Sequence, residues 1–213
     1  MSQNILDPEH AVKTERGTVL QDPPLFQFLF SDTRFAWFWL GVRVLLGWGW
    51  LEPGLRKLGD PAWMQTGDAL RDFWTRAVQI PAEGRPPITY DWYRDFIQGM
   101  LDAGSYVWFA KLVAIGESLV GVLLILGAFV GVVAFFGAFM NWNYIMAGSA
   151  SSNGLFGLAA LLLIMAWKTA GWWGLDRYIL PILGTTWQSS RSARTTPARS
   201  EPFTDTQQRR TQP

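Results

Sequence analysis

The chain contains no cysteine and a single histidine, His10. Without thiols there is no disulfide, no thiolate metal centre, no covalently held c-type haem and no thiol redox couple. One histidine in a polar N-terminal segment argues against a haem or metal site built by this chain alone. A net charge of +1 leaves no electrostatic footprint for nucleic acid. The most informative scarcity is local. From Ser118 to Trp167, fifty consecutive residues carry no Asp, Glu, Lys or Arg. A membrane-spanning helix needs about 20 predominantly apolar residues, so this block has room for at least two spans. An integral membrane protein with the lipid bilayer as its surroundings is the expectation. Residues 1–34 are polar, with Pro23-Pro24, and lack a basic start followed by an apolar core and a small-residue cleavage site. The first span is therefore expected to direct insertion itself.

Thirteen tryptophans suit a chain anchored at two membrane–water interfaces. The predicted architecture is all-α, an integral membrane four-helix bundle with an amphipathic helical cap between spans one and two. After the polar segment 1–34, in which Leu25–Phe30 could rest at the interface, the membrane domain covers 35–184. Span one is read over 35–51, broken by Arg43 and ended or kinked by Pro53-Gly54. Span two covers 106–126, span three 132–148 and span four 154–173, joined by short connections that make them antiparallel neighbours. The connection 52–105 holds apolar anchors at helical spacing. Trp63, Leu70, Phe73, Trp74 and Ala77 suit one helix; Tyr90, Trp92, Tyr93, Phe96, Ile97, Met100 and Leu101 suit a second, with Ala82–Pro87 as the turn. Residues 185–213 lack Leu, Ile, Val and Met and are expected to be disordered. Ten basic residues in the terminal segments against six in the cap favour cytoplasmic termini and an external cap in the cell membrane.

Two charges fall near the middle of spans, Arg43 and Glu117, while Lys111 lies near the start of span two. At mid-bilayer depth each costs roughly 2.5–3.5 kcal/mol on insertion scales, so such groups pair or face a polar cavity. A buried Arg43–Glu117 ion pair fixing helix register is one reading. The other makes Glu117 a proton acceptor, or a partner for a quinol hydroxyl, with Arg43 as its counter-charge. Asn141, Asn143 and Asn153 form a polar patch at the end of span three, either as interhelical hydrogen-bonding groups or as ligand contacts. Asn141 and Asn143, two residues apart, lie on different helix faces. Arg56 and Lys57 at the membrane boundary either touch lipid phosphate or form an anion site, with Glu52 close enough in sequence to join them. No glycine-rich phosphate loop, Ser–His constellation or His/Cys metal spacing accompanies them.

Three stretches occur in order: RVLLGWGWLEPGLRKLGDPAW, with Arg43, Gly47, Trp50, Gly54, Lys57, Leu58, Pro61 and Trp63; GESLVGVLLILG, with Gly116, Glu117, Gly121 and Gly127; and NWNYIMAGSASSN, with Asn141, Asn143, Gly148 and Asn153. In these the sequence resembles the DoxX/DoxD family, specifically the DoxD branch described as the large membrane subunit of thiosulfate:quinone oxidoreductase. The resemblance covers roughly Phe35 to Trp173. It implies four membrane helices, a quinone as the cofactor, a small partner subunit, and oxidation of thiosulfate to tetrathionate. In that scheme Arg43, Arg56 and Lys57 attract the anionic sulfur substrate and Glu117 takes the quinol proton. Aromatic residues, Trp50 among them, line the quinone slot. The competing expectation is a non-catalytic subunit that anchors or stabilises a larger membrane complex. A solute transporter is disfavoured, because no inverted repeat or pair of broken helices is evident.

Overall fold

The computed structural model describes Val12–Lys13 and Val19–Leu20, as a short antiparallel backbone pairing, and residues 22–184. His10 and the tail from Thr185 lie outside the described residues. The architecture is all-α. The first helix, α1 (Pro24–Ser31), starts on a proline, whose missing N–H costs nothing in a first turn, and buries none of its residues. Asp32 then accepts the Arg34 N–H at 2.8 Å and opens a single 3-10 turn, Thr33–Phe35. That turn feeds directly into α2 (Ala36–Leu58).

Pro53 does not stop α2. The helix runs seven residues past Leu51, the end predicted from the Pro-Gly pair, and closes only when Gly59 N–H reaches Leu55 O at 3.2 Å. A proline inside a helix costs about 3 kcal/mol through its lost hydrogen bond and ring clash. Here the packing of α2 against α6 (Tyr106–Leu126) offsets that cost. The two backbones meet where side chains are smallest. A Cβ on Gly121 would lie 2.6 Å from Leu51 N, and one on Gly54 would lie 2.5 Å from Ser118 Oγ. The order of these contacts, Gly54 with Ser118 and Leu51 with Gly121, makes the helices antiparallel.

Helix α6 ends in a Schellman motif. Gly127 takes φ +69°, Gly127 N–H bonds Leu124 O at 3.1 Å and Ala128 N–H bonds Leu123 O at 3.0 Å. Helix α7 (Val130–Met146) follows at once, then α8 (Asn153–Met165), α9 (Trp167–Ala170) and α10 (Asp176–Ile182). The stretch read as a fourth continuous span, 154–173, is thus interrupted at Ala166, which adopts a non-helical ψ of 14°. Between α2 and α6 lie α3 (Pro61–Met64), α4 (Asp68–Ala77) and α5 (Asp91–Asp102). Trp63 therefore sits on a helix of its own, not on that of Leu70. Leu70, Trp74 and Ala77 of α4 and Tyr93 and Ile97 of α5 are buried together with Ile88, Ala110 and Ala147. Trp92 and Phe96 of α5, and Tyr90 just before it, are more than half exposed.

Contacts divide the chain into residues 1–179 and residues 180–213. The described part of the second unit is the last turn of α10 and its end, where Gly184 N–H reaches Pro181 O at 3.2 Å. Within the first unit, α6 is long and apolar enough to cross a membrane, with 21 residues and a mean hydropathy of 2.1. Helices α7 and α8 are as apolar but shorter, at 17 and 13 residues. Large apolar side chains crowd the surface as well as the core. Leu45, Leu112, Leu119, Phe135, Phe139 and Leu158 point outward, while Arg43, Glu117, Asn141, Thr169 and Asp176 are buried.

The α2–α6 contact leaves no space for a branched side chain at Gly121. Gly121→Val is expected to destabilise by about 1–3 kcal/mol through overpacking, lowering the melting temperature of the purified protein by roughly 2–12 °C. A melting curve unchanged by this substitution would show that the close approach is not needed.

Candidate functional site

Lys57, kept on α2 by the continuation through Pro53, reaches across to α6. Its Nζ donates to both carboxylate oxygens of Glu117, at 2.6 and 2.7 Å. Tyr144 of α7 donates its hydroxyl to Glu117 Oε1, and Lys57 Nζ lies 3.3 Å from the same hydroxyl. Three helices thus deliver an ammonium, a carboxylate and a phenol to one point. The Glu117 side chain is only 3% exposed, whereas that of Lys57 retains 18%. A buried carboxylate is tolerable only with its charge matched and its lone pairs occupied, and both conditions hold here.

Aromatic rings enclose the centre. The Trp63 ring lies 4.5 Å from Lys57 Nζ, on the cap side. Phe73 meets the Tyr144 ring edge-on at 6.4 Å, and Trp50 stacks on it at 6.5 Å with 28° between planes. Trp50 is buried, and its indole N–H has no hydrogen-bond partner. Outside the centre a cleft of about 310 Å³ is lined by Pro53, Arg56, Lys57, Asp60 and Trp63. It reaches Lys57 but neither Glu117 nor Arg43. Arg56 lines it while pairing with Glu52 at 2.9 Å one helical turn back.

Arg43 is not the partner of Glu117. Antiparallel packing explains why: Arg43 precedes Lys57 by fourteen residues on α2, a rise of about 21 Å. With Gly54 set against Ser118, only Lys57 reaches Glu117. Arg43 arrives instead at the far end of α6, where Nη1 donates to Leu124 O and Ile125 O and Nη2 to Trp173 O, all at 2.7 Å. The first two are carbonyls of the last turn, at the negative end of the helix dipole, and Leu124 O is shared between Arg43 and the Gly127 N–H. Asp176 performs the opposite task for α7. Its carboxylate accepts the N–H groups of Phe129 and Val130. The α6–α7 turn is thereby held by a cation on the ending helix and an anion on the starting one.

The asparagines divide as their faces require. Asn141 is buried and donates Nδ2 to Asn153 O, tying α7 to the start of α8, with its Oδ1 unpartnered. Asn143 turns back to Phe139 O at 2.8 Å and accepts the Tyr93 hydroxyl at 3.2 Å, fastening α5 to α7. Burial pushes the Tyr93 phenol above its ordinary range. Asn153 donates to Ser149 O at 2.6 Å, within its own loop. None of the three lines the Lys57 cleft.

Comparison with family models, curated proteins and solved structures finds no match. The chemistry of the site therefore rests on its own geometry.

Of the residues singled out from the sequence, Glu117, Lys57 and Trp50 come together and Arg56 lies at the mouth. Tyr144 and Asp176 were not foreseen. Tyr144 carried a signal: it lies three residues after Asn141, on the same face of α7. Asp176 carried none, since its targets lie 46 and 47 residues earlier in the chain.

Removing one partner of a buried pair leaves an uncompensated charge, which costs about 3–5 kcal/mol. Lys57→Met is accordingly expected to destabilise strongly, and Lys57→Met combined with Glu117→Gln to recover much of the loss. Denaturant unfolding of the two single variants and the double variant measures the coupling. Strict additivity would mean that the two groups do not depend on each other.

Proposed function

We propose that the chain is an integral membrane protein of four spans, formed by α2, α6, α7 and α8 with α9. In this reading the cap faces outward and the termini lie in the cytoplasm. The extent of exposed apolar surface supports insertion. A surface of Leu, Phe and Val around buried Arg43, Glu117 and Asn141 suits a surrounding of hydrocarbon. The excess of basic residues in the terminal segments over the cap supports the orientation. The short α7 and α8 fit a bilayer that thins or a bundle that tilts to match them.

Within that membrane domain the favoured role is the membrane subunit of a quinone-linked oxidoreductase. Thiosulfate:quinone oxidoreductase is the specific activity that likeness to the DoxD branch implies. One observation carries this reading: a buried carboxylate, Glu117, held by Lys57 and Tyr144, with Lys57 forming the floor of a cleft. The residues also suit a quinone head group, which needs hydrogen-bond donors between flat apolar walls. Trp50 offers a buried N–H without a partner, between the Tyr144 and Phe156 rings. A bound quinone would supply the two-electron acceptor that the chain's own side chains lack. For the chain, Glu117 is the group to receive a proton and Tyr144, hydrogen-bonded to it, the group to pass one. Lys57 grips both oxygens of the carboxylate and presents positive charge to an anion in the cleft.

A second reading, a non-catalytic anchor or scaffold subunit, is favoured by the closure of the same centre. Both Glu117 oxygens are occupied, and the cleft stops at Lys57. The two readings separate in one assay, thiosulfate-dependent reduction of a soluble quinone by the purified protein, alone and with its partner subunit. Catalysis predicts turnover that falls about 10²–10⁴-fold in Glu117→Gln, the range of a lost acid–base group, in a variant that still folds. A scaffold predicts a lowered melting temperature for Glu117→Gln and no loss of turnover from the assembled complex. Absence of thiosulfate-dependent turnover under every partner condition would sink the oxidoreductase reading.

A further inference from the structure

The end of the molecule opposite the cap carries a second feature, which the charge centre does not use. Lys168 of α9 lies with Nζ 5.5 Å from the centroid of the Trp167 ring, and the Arg177 guanidinium of α10 lies 4.8 Å from that of Trp172. Both cations are exposed. Neither has a carboxylate partner among the described residues, whereas Arg34, Arg56, Arg71 and Arg94 are each paired with an Asp or Glu on their own segment. Two of the described carboxylates at this end are already engaged. Asp32 is held by Arg34 at 2.7 Å, and Asp176 is buried on the α7 amides, leaving Asp22 ahead of α1.

The neighbouring surface is apolar. Helix α1 is fastened to α9 by the Thr169 hydroxyl, which donates to Phe30 O at 3.0 Å, yet it buries no residue of its own and leaves Leu25 69% exposed. Trp173 and Tyr178, beside the two cations in sequence, are also mostly exposed. Amphipathic rings with cations above an apolar helix match the headgroup level of a bilayer, where indoles and basic side chains concentrate.

We infer that Lys168 and Arg177, held over Trp167 and Trp172, form a binding surface for the phosphate headgroups of anionic phospholipid, with α1 lying in the same interface. The inference rests on the membrane reading above and goes beyond it in naming the lipid class and the residues that select it. The shared chemistry, a phosphate oxyanion, could also come from free phosphate, and the experiment distinguishes the two. Stacking on indole keeps each cation extended without neutralising it, so its charge stays available to the headgroup. A basic side chain near an anionic surface contributes about fivefold in partitioning.

The test begins with alkaline carbonate extraction of membranes carrying the full chain. Release into the soluble fraction would overturn the four-span reading and this inference with it. Protein retained in the membrane is then reconstituted in vesicles of equal phosphatidylglycerol and phosphatidylcholine and re-extracted in detergent. Native mass spectrometry reads the bound lipid ratio. The wild type is expected to favour phosphatidylglycerol, and Lys168→Gln/Arg177→Gln to lose about tenfold or more of that preference. Arg76→Gln/Arg85→Gln, on the cap, should leave it within about twofold, and excess inorganic phosphate should not abolish it. Melting curves confirm that both double variants fold. An unchanged ratio in Lys168→Gln/Arg177→Gln, an equal loss in the cap variant, or displacement by inorganic phosphate would each overturn the headgroup assignment while leaving the membrane reading intact.

Discussion

The close antiparallel contact of α2 with α6 sets the position of both buried charges on α2. Gly54 lies on Ser118, and Gly121 lies on the backbone of Leu51, at distances that no larger residue would permit. A helix packed this tightly cannot rotate or slide by one residue, because a shift of one position turns each side chain by about 100°. The register therefore decides which residue of α6 each charge of α2 encounters. Lys57 falls opposite Glu117 and Arg43 falls at the end of the helix. Were the contact looser, either cation could satisfy itself elsewhere, and Glu117 would be left as an uncompensated charge.

The two centres that this register creates differ in kind. Arg43 spends three N–H bonds on backbone carbonyls, two at the end of α6 and one at Trp173, and a Cβ on Gly127 would lie 2.6 Å from its Nη1. Its two terminal nitrogens are matched to that turn, while its buried Nε has no hydrogen-bond partner. Asp176 complements it on α7, so the α6–α7 connection is fixed by opposite charges at the dipole ends they prefer. The Lys57 centre is built from side chains only. A flexible ammonium, a carboxylate and a phenol can exchange partners without breaking a helix, and Lys57 is partly exposed to the cleft.

How much of this was legible in the sequence depended on whether the signal was local. Helix α6 was, because Gly127 closes a run that is apolar apart from Lys111, Glu117 and Ser118. The cap helices were legible through their periodicity, although Trp63 joins α3, Tyr90 precedes α5, and Trp92 and Phe96 of α5 are exposed. The different faces of Asn141 and Asn143 followed from their spacing, and the structure gives them different partners. The identity of the partner of Glu117 was not legible, for a specific reason. Pro53 reads as a helix stop from local propensity, and tertiary packing overrides it. With α2 ended at Leu51, Lys57 belongs to a loop and Arg43 becomes the only cation near the middle of a predicted span. Carried through the proline, the same helix places Arg43, Trp50 and Lys57 at intervals of seven, on one face, and the correct cation becomes a candidate.

This correction changes what Glu117 can do. Paired with Arg43, it would face a guanidinium that is charged at any accessible pH and planar enough to lock the carboxylate bidentately. Paired with Lys57, it faces a point charge on a four-carbon stem, shared with a tyrosine hydroxyl and bordered by the Trp63 ring. A lysine can swing toward the cleft while Tyr144 keeps its hydrogen bond to the carboxylate, so the negative charge need not be stranded when the ammonium moves. The carboxylate then stands one hydrogen bond from the phenol and one side-chain motion from the exterior. An arginine clamp would fix the helices equally well but would offer no such route, and that is the physical reason to look for proton chemistry at Glu117 and not at Arg43.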